Sequence, residues 1–325
     1  MKVGATSRSE LEGRRRALTA LAGFGSWTAL GLAGCASAPP PAPIPAPPTP
    51  PLVAIAPPSA PAPTVLRRPR LGLALGGGAA RGFAHIGVIQ ALEESGLPPD
   101  LVVGTSAGSL VAALYASGKN GAELAVLADS MDETAFADWA YPGRGLIRGE
   151  ALAKYVRDKT GHRPIEQMKI PLGIAATDLD SGAGILFQRG DTGTAVRASS
   201  AVPAVFQPVR IGQREYVDGG LSAPVPVHHA LSMGAEFVIA VDISAVPEGN
   251  ATSDLARMLM QTFAIMGRSI KGYELRDADL VLSPKLAGVS GADFSTRRQS
   301  IRAGREVTLA HLAELRERIV AKSHL

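Results

Sequence analysis

Residues 101–108 read LVVGTSAG, an apolar run that leads into a Gly-x-Ser-x-Gly motif centred on Ser106. A strand that enters such a motif and continues as a helix turns so sharply that the serine side chain projects from the backbone. Gly104 and Gly108 suit this turn, because a side chain at either position would collide with the neighbouring strand and helix. The Ala- and Leu-rich stretch 107–116 predicts that helix, with its positive dipole end at the serine. The motif therefore predicts a strand–turn–helix unit that exposes Ser106.

Apolar runs on both sides of this unit alternate with helical patterns. Strands without a polar face, separated by helices, are typical of a mainly parallel sheet covered on both sides. We therefore expect a three-layer α/β/α fold, with ligands bound beyond the carboxyl ends of the strands. The expected strands are 71–75, 101–104, 171–177, 237–243 and 279–282, and the expected helices are 81–94, 107–116, 149–158, 192–199, 224–232, 253–271 and 299–321.

Residues 1–35 have the pattern of a signal peptide. Three arginines at 14–16 precede the apolar run 17–33, which is too short to span a membrane and stops at small residues. The sequence Leu-Ala-Gly-Cys at 32–35 resembles the lipobox of bacterial lipoproteins, which implies that Cys35 is acylated. Ala36 in place of an aspartate then favours the outer membrane, with the protein facing the periplasm. An ordinary secretory signal is the alternative, and the export route stays open.

Residues 36–67 form a Pro- and Ala-rich segment that is expected to act as a tether. Thirteen of the 25 prolines lie between Pro39 and Pro63. Proline fixes φ and removes a backbone donor, so the segment should be polyproline II-like and unpacked. At ~3.1 Å per residue, roughly 25 such residues reach on the order of 80 Å. Residues 68–325 remain for a single catalytic domain.

The basic charge of the chain resides mostly in its first residues. The net charge is +4, but residues 1–34 hold five basic and two acidic residues, so the remainder carries about +1. Aromatic residues make up only 5% of the chain, which leaves few platforms for stacking on bases. A nearly neutral domain of this composition argues against nucleic acid as a partner. Cys35 is the only cysteine, so no disulfide can form within the chain.

A triple glycine, Gly76, Gly77 and Gly78, follows the first expected strand and precedes a helix. Consecutive glycines let backbone N–H groups point the same way, and with the amide of Ala107 they would form an oxyanion hole. A dinucleotide-binding loop is the alternative. It requires a third glycine where Arg81 stands and an acidic residue at the end of a second strand, and the sequence has neither.

Asp218, followed by Gly219 and Gly220, is the candidate base that would serve Ser106. The alternative is a plain β-turn, because Asp-Gly is a common turn pair. A conventional catalytic triad would need a histidine instead. None of the six histidines stands in a loop after a final strand, so they are interpreted as structural or surface residues: His85, His162, His228, His229, His311 and His324.

Three motifs in this order resemble those of the patatin-like phospholipases, serine lipid acyl hydrolases that use a Ser-Asp dyad without histidine. They are GGGAARG at 76–82, GTSAG at 104–108 and DGG at 218–220. The resemblance covers roughly residues 71–232, and the stretches 148–150, 176–179 and 197–203 are similar to the bacterial branch of the family. Ala79, Ala204 and Gln207 depart from its pattern, standing where Gly, Gly and Pro are frequent.

The resemblance implies a role for each matching residue. Ser106 is the nucleophile and Asp218 accepts its proton, while the amides of Gly77 and Gly78 serve as oxyanion donors. Gly76 and Arg81 shape the loop, and the remaining motif positions support the site: Gly82, Gly104, Gly108, Gly219 and Gly220. The implied reaction is hydrolysis of fatty-acyl esters of phospholipids or lysophospholipids through an acyl-serine, without metal or cofactor. Asp178, Asp180 and Asp191 lack ligand spacing and are interpreted as turn and cap residues.

Two other functions remain open on the same fold. One is a non-catalytic lipid-binding scaffold of the cell envelope, and the other is a thioesterase or small-ester esterase. Residues 132–147 contain Phe136, Trp139, Tyr141 and Leu146. They are interpreted either as a mobile cover over an acyl pocket or as a packed connector.

Overall fold

Strands and helices alternate along the chain as the apolar runs predicted. The computed structural model describes residues 67–132, 138, 144–245, 255–291 and 293–323. The strands are β1 Leu71–Leu75, β2 Leu101–Thr105, β3 Gly145–Ile147, β4 Leu172–Asp178, β5 Gly184–Phe187, β6 Ala204–Phe206, β7 Val209–Ile211, β8 Arg214–Asp218, β9 Phe237–Val241 and β10 Leu280–Leu282. The helices are α1 Ala84–Glu94, α2 Ala107–Ala116, α3 Gly121–Asp129, α4 Glu150–Thr160, α5 Thr192–Ser199, α6 Val227–Ser232, α7 Leu255–Glu274, α8 Arg297–Ala310 and α9 Leu312–Ala321.

The main sheet has the strand order β10-β9-β1-β2-β4-β8-β7, with β5 also paired to β4. The strands from β10 to β4 are parallel, whereas β5, β7 and β8 run antiparallel to their neighbours. The register aligns Thr105 with Ala175, and it aligns Ala176 with Asp218. Ser106 and Asp218 therefore flank β4 at the same end of the sheet.

The two faces of the sheet are covered unequally. Leu73, Ile239 and Val102 point to a large apolar cluster that includes residues of α1–α5 and α9. The alternate residues Ala74 and Val103 point to a smaller cluster that includes α6. This is the expected three-layer arrangement around a mainly parallel sheet, and the strands are buried on both faces.

Several of the expected helices have different limits in the structure. The helix expected over 299–321 is two helices, α8 and α9, separated at His311, whose φ of −101° and ψ of 7° end the first one. The break lets the second helix turn Leu315 and Ile319 into the large core cluster. The helix expected from residue 224 begins at Val227, after Pro226 at the N-cap.

Antiparallel strands were not predicted as such. The segments of β5, β7 and β8 are short, and exposed residues interrupt them, so their apolar pattern is weak. The 3-10 turn Ala79–Phe83 likewise precedes α1, where a helix from residue 81 was expected.

Several predictions concern residues outside the described part of the chain. These are the signal peptide, the tether up to residue 66 and Cys35, together with Phe136, Trp139, Tyr141 and His324. Within the described residues, no helix combines the length and apolar character needed to cross a membrane.

Candidate active site

Ser106 occupies the turn between β2 and α2 with φ of 52° and ψ of −121°. This backbone conformation is unfavourable for a residue with a side chain and persists only where the surroundings impose it. Gly104 and Gly108 impose it by close packing. A Cβ atom at Gly104 would lie 2.3 Å from the Gly108 carbonyl oxygen, and one at Gly108 would lie 2.2 Å from the Leu75 carbonyl oxygen. Both positions therefore require glycine.

A buried serine from α5 holds the backbone of this turn. The Ser106 amide donates a 2.8 Å hydrogen bond to the Ser199 hydroxyl, which donates in turn to the Ala175 carbonyl at 2.5 Å. Ser199 is fully buried. The sequence marks this residue only as part of the stretch 197–203, because no local pattern reveals that α5 brings it to β2.

Asp218 ends β8 and is a buried residue, 7% exposed. Its Oδ1 accepts a 2.7 Å hydrogen bond from the Gly220 amide. Burial raises the pKa of this carboxyl to about 6, against the opposing effects of the Ser106 hydroxyl and the Gly220 amide. Among the described residues, Oδ2 has no partner within ordinary hydrogen-bond geometry. The carboxyl group is thus buried and lies close enough to the Ser106 hydroxyl for that hydroxyl to lower its pKa in part.

Backbone packing brings Asp218 to this position. A Cβ atom at Gly219 would lie 2.4 Å from the Ala175 carbonyl oxygen, so the turn after Asp218 presses directly on β4. The Thr177 hydroxyl donates to the Asp218 carbonyl at 2.9 Å. At Gly220, a Cβ atom would lie 3.0 Å from Asp218 Oδ1. The two glycines therefore let the aspartate turn back towards Ser106 while its carbonyl stays bonded to β4.

The glycine loop lies against the same serine, since a Cβ atom at Gly77 would be 3.3 Å from Ser106 Cβ. Its first two amides are not available as oxyanion donors. The Gly76 amide donates to Val241 at 3.0 Å, and the Gly77 amide donates to Pro224 at 2.9 Å. The expectation that Gly76 and Gly77 donate to an oxyanion is therefore wrong for this conformation, because these bonds fasten the loop to the sheet.

Three other amides beside Ser106 have no acceptor among the described residues. They belong to Gly78, Ala79 and Ala107, and the last is the first residue of α2. Gly78 needs to be glycine, because a Cβ atom there would lie 2.7 Å from the Ile243 side chain. Unbonded amides at a helix N-terminus attract negative charge. Gly78 and Ala107 therefore remain the predicted oxyanion donors, and Ala79 has a third amide without an acceptor among the described residues.

Arg81 and Gly82 connect this loop to the core. The Arg81 amide donates to the Gly78 carbonyl at 3.2 Å. Burial lowers the pKa of its guanidinium below the usual value, and Asp242 opposes that effect. A Cβ atom at Gly82 would lie 2.8 Å from Ala107 Cβ, so this glycine lets the loop touch the nucleophile turn.

No histidine in the described part of the chain bonds to Ser106 or Asp218. His85 is fully buried, and its Nε2 donates to the Gly76 carbonyl at 2.8 Å. Burial lowers the pKa of His85 to about 4, so it supports the glycine loop in neutral form. His228 pairs instead with Glu274 and Asp277.

An apolar cavity opens beside Ser106, between the glycine loop and helices α1, α2 and α3. Its lining contains only glycine and apolar side chains, which suits a hydrocarbon chain and no charged group. Its lining residues are Ala79, Ala80, Gly82, Phe83, Ile86, Ala107, Leu110, Val111, Leu114, Leu124, Leu127, Ala128, Met131 and Phe294.

Other acidic residues near this end of the sheet are structural. Asp191 caps α5 by accepting from the Thr194 amide at 2.7 Å. Asp178 accepts from the Asp180 and Ser181 amides and pairs with Arg214, which holds the pKa of its carboxyl at about 2. The described part of the chain contains no group of His, Cys, Asp and Glu side chains that could hold a metal ion.

Part of the expected cover segment is described. Asp138 accepts from the amides of Gly149, Glu150 and Ala151, so it caps the start of α4. Leu146 lies in β3 and is 49% exposed. Whether the segment is a cover or a connector depends on residues outside the described part.

Part of the chain is similar to known proteins. Residues 73–231 match the family model for patatin-like phospholipase. An uncharacterised NTE family protein of Mycobacterium tuberculosis is 38% identical over 221 residues, which cover 63% of this chain and 61% of that protein. The human patatin-like phospholipase domain-containing protein 6 is 35% identical over 193 residues, which cover 57% of this chain and 14% of that protein. The chain thus spans less than two thirds of the length of these relatives.

The fold has a counterpart among solved structures. VipD from Legionella pneumophila superposes with a TM-score of 0.55 at 14% identity, over 80% of this chain and 68% of that chain. At this identity the likeness concerns the fold alone. The match over residues 73–231 spans the glycine loop, Ser106 and Asp218. The part of the chain from residue 73 to residue 231 therefore matches a patatin-like phospholipase domain.

Proposed function

We propose that the chain hydrolyses fatty-acyl esters of phospholipids or lysophospholipids with Ser106 as nucleophile and Asp218 as its base. The observation that carries the proposal is the Asp218 carboxyl, buried beside the Ser106 hydroxyl with its pKa raised to about 6. A base is most effective when its pKa is near the working pH, and an exposed aspartate is far too acidic for this task. Burial therefore supplies what a histidine supplies in a triad.

The reaction proceeds in two halves around one covalent intermediate. Ser106 Oγ transfers its proton to Asp218 and attacks the ester carbonyl, whose oxygen becomes negative. The amides of Gly78, Ala79 and Ala107 are the donors available for that charge, and one such donor is typically worth ~3 kcal/mol of barrier. Asp218 returns the proton to the leaving alcohol. It then takes a proton from the water that attacks the acyl-serine, and it gives this proton to Ser106 Oγ as the bond to the acyl group breaks and the fatty acid leaves.

The apolar cavity supports a fatty-acyl substrate over a small ester. Ala107 and Ala79 line the cavity and neighbour the reacting groups, while Leu124 and Ala128 of α3 line it from another side. An acyl chain that enters it leaves water, and each buried methylene contributes about 0.8 kcal/mol. We expect kcat/KM to rise with chain length on a series of esters that differ only in the acyl group.

Replacement of the two proposed groups tests the reaction. Ser106→Ala and Asp218→Asn should each lower fatty-acid release by at least ~10³-fold. Ser130→Ala, which removes an exposed hydroxyl at the end of α3, is the matched control and should keep wild-type activity. His228→Ala and His229→Ala should also stay near wild type. A fluorophosphonate probe should label the wild type at Ser106, and an unlabelled protein would favour the non-catalytic scaffold.

The pH dependence provides a second test. Because Asp218 must be ionised to accept a proton, kcat/KM should rise with pH and level off above the pKa of about 6. A profile that follows a group titrating well above 7 would point to a different base.

We further propose that Cys35 carries a lipid anchor that holds the enzyme at the outer membrane, facing the periplasm. The lipobox-like sequence 32–35 and the Pro-rich segment after it support this location. Cells given radiolabelled palmitate should incorporate label into the wild-type chain and not into Cys35→Ser. Label retained by the variant would contradict acylation at this cysteine.

A further inference from the structure

Helix α7 exposes a row of apolar side chains. Of the ten large apolar side chains that are strongly exposed in the described part of the chain, four lie on this helix. Their spacing follows turns of the helix, so they share one side of it. We call this side the α7 apolar face; it consists of Met258, Ile265, Met266 and Tyr273.

The protein's own core does not use this helix. None of its described side chains belongs to an apolar core cluster. Polar contacts near its end attach it instead. Lys271 pairs with Asp242 at 2.8 Å, and the Glu274 carboxylate accepts from the His228 amide at 3.0 Å. Helices in proteins are stabilised mainly by the packing of an apolar face, and large exposed apolar patches mark interaction sites. The α7 apolar face is therefore suited to an occupant from outside the domain.

The helix lies beside the candidate active site. Gly267 faces Pro224, since a Cβ atom there would be 3.9 Å from Pro224 Cγ, and the Pro224 carbonyl holds the Gly77 amide. The helix also contacts the turn Gly219–Leu221, which directly follows Asp218. Helix α7 therefore packs close to the turn that follows Asp218, and its apolar face lies on the other side of the helix from Gly267.

We propose that the α7 apolar face docks on a membrane surface that contains anionic phospholipid. Glu274 is the only acidic residue of the helix, and it is buried. The exposed arginines Arg257 and Arg268 lie on the helix, and the Arg276 guanidinium stacks on the Tyr273 ring at 4.9 Å. Apolar side chains bordered by arginine and tyrosine match the boundary between acyl chains and headgroups, and basic residues are attracted to anionic headgroups.

Docking in this way would hold the turn Gly219–Leu221, which α7 contacts, close to the surface that supplies a lipid ester. The inference rests on the proposed function, because docking on a membrane serves a lipid hydrolase. The contribution of the arginine charges to membrane binding should weaken as the salt concentration rises, whereas the contribution of the apolar side chains should not.

A single-cysteine label tests the docking without turnover. Cys35 is the only cysteine, so the full chain with Cys35→Ser and Ser106→Ala accepts one new cysteine at a chosen position. Met266→Cys, labelled with an environment-sensitive fluorophore, should brighten at least about threefold on vesicles of phosphatidylcholine and phosphatidylglycerol, and less on phosphatidylcholine alone. Val320→Cys on α9 is the matched control, because Val320 is 70% exposed and Met266 is 51% exposed. An equal response at the two positions would overturn the proposal.

A comparison of two substrates tests its consequence. In the catalytically intact chain with Cys35→Ser, Ile265→Glu with Met266→Glu should lower hydrolysis of vesicle phospholipid by at least about tenfold relative to hydrolysis of a soluble short-chain ester. Val320→Glu should leave that ratio at the wild-type value. An unchanged ratio in the double variant, or an equal loss on both substrates, would overturn the proposal. If the parent hydrolyses neither substrate, the proposed function fails, and the label at Met266→Cys still decides the docking.

A second copy of the chain is the other occupant that the experiment detects. In that case the label at Met266→Cys would brighten with protein concentration in the absence of vesicles, and the Ile265→Glu change would shift the protein to a smaller species in size-exclusion chromatography. This result would overturn the proposal in favour of a dimer interface.

Discussion

Helices α2 and α7 both lie beside Ser106 and Asp218, but they meet their surroundings in opposite ways. Helix α2 has eight buried residues among ten, and its first turn is packed so closely that a Cβ atom at Gly108 would lie 2.2 Å from the Leu75 carbonyl oxygen. Helix α7 is twice as long, and among its described side chains only Glu274 is buried. The difference separates two tasks: reacting groups must be held within a fraction of an ångström, whereas a surface that meets a fluid partner needs exposed apolar area.

The largest expected difference between the two helices is in the effect of replacing a glycine by alanine. Gly108→Ala should destabilise the protein by about 3 kcal/mol or more and abolish activity, because its Cβ atom would overlap the Leu75 backbone. Gly272→Ala should stabilise it by about 0.5–1 kcal/mol, because no atom lies within 4 Å and alanine favours the helix. Urea unfolding of both variants measures the difference, and equal effects would remove the contrast.

Two buried carboxyl groups extend the comparison to electrostatics. Asp218 and Glu274 are each 7% exposed, but Glu274 is paired with His228 and Asp218 has no cationic partner in the described part of the chain. Because the pKa of Asp218 is raised on folding, its contribution to stability is present below its unfolded pKa and lost as pH rises through about 6.

Asp218→Asn should therefore make the protein more stable above pH 6 while removing activity. A pKa that moves from 3.8 to about 6 corresponds to on the order of 3 kcal/mol at pH 8, and the gain should vanish near pH 4. Urea unfolding at pH 4, 6 and 8 measures it. A variant that is less stable than the wild type at pH 8 would show that the carboxylate is better solvated than its burial implies.

A smaller difference is expected when a hydroxyl group that bonds to a backbone carbonyl is removed beside Ser106 or on α7. Ser199→Ala should lower kcat by about 10- to 100-fold with little change in KM, because the Ser106 amide loses its acceptor and the nucleophile shifts. Its counterpart Thr262→Ala on α7 removes an exposed hydroxyl bonded to Met258 and should leave kcat unchanged. A Ser199→Ala enzyme that unfolds more easily but keeps its kcat would assign this serine to packing alone.

The smallest expected effect concerns the departures from the family pattern. Ala79 has φ of 50° and Ala204 has φ of 69°, conformations that glycine adopts without strain. Ala79→Gly and Ala204→Gly should each raise the free energy of unfolding by up to about 1 kcal/mol. This net value allows for the conformational entropy that a glycine adds to the unfolded chain. Thermal unfolding of the two single variants measures this, and a loss of stability would mean that alanine packing outweighs backbone strain.

Local patterns in the sequence were enough to predict the limits of the elements closest to Ser106. The limits of β1, α2 and α5 agree with the expected ones, because buried parallel strands and the glycine-flanked turn leave continuous signals. Strands β5, β7 and β8 leave no such signal, since β5 and β8 take their register from β4 and β7 takes its register from β8. The single helix expected over 299–321 failed at His311 for a related reason: helical spacing continues across a break that only packing requires.

The sequence by itself determined that a serine would stand on a strained turn after a buried strand, because the glycines around it allow no other chain path. It also placed the glycine loop at the end of a strand and Asp218 directly before two glycines. Only the tertiary structure decided which amides remain free, since Val241 and Pro224 bind those of Gly76 and Gly77 from distant parts of the chain. The tertiary structure likewise decided the burial of Asp218, the support from Ser199 and His85, and the exposed face of α7. Each of these depends on which distant segments of the chain meet.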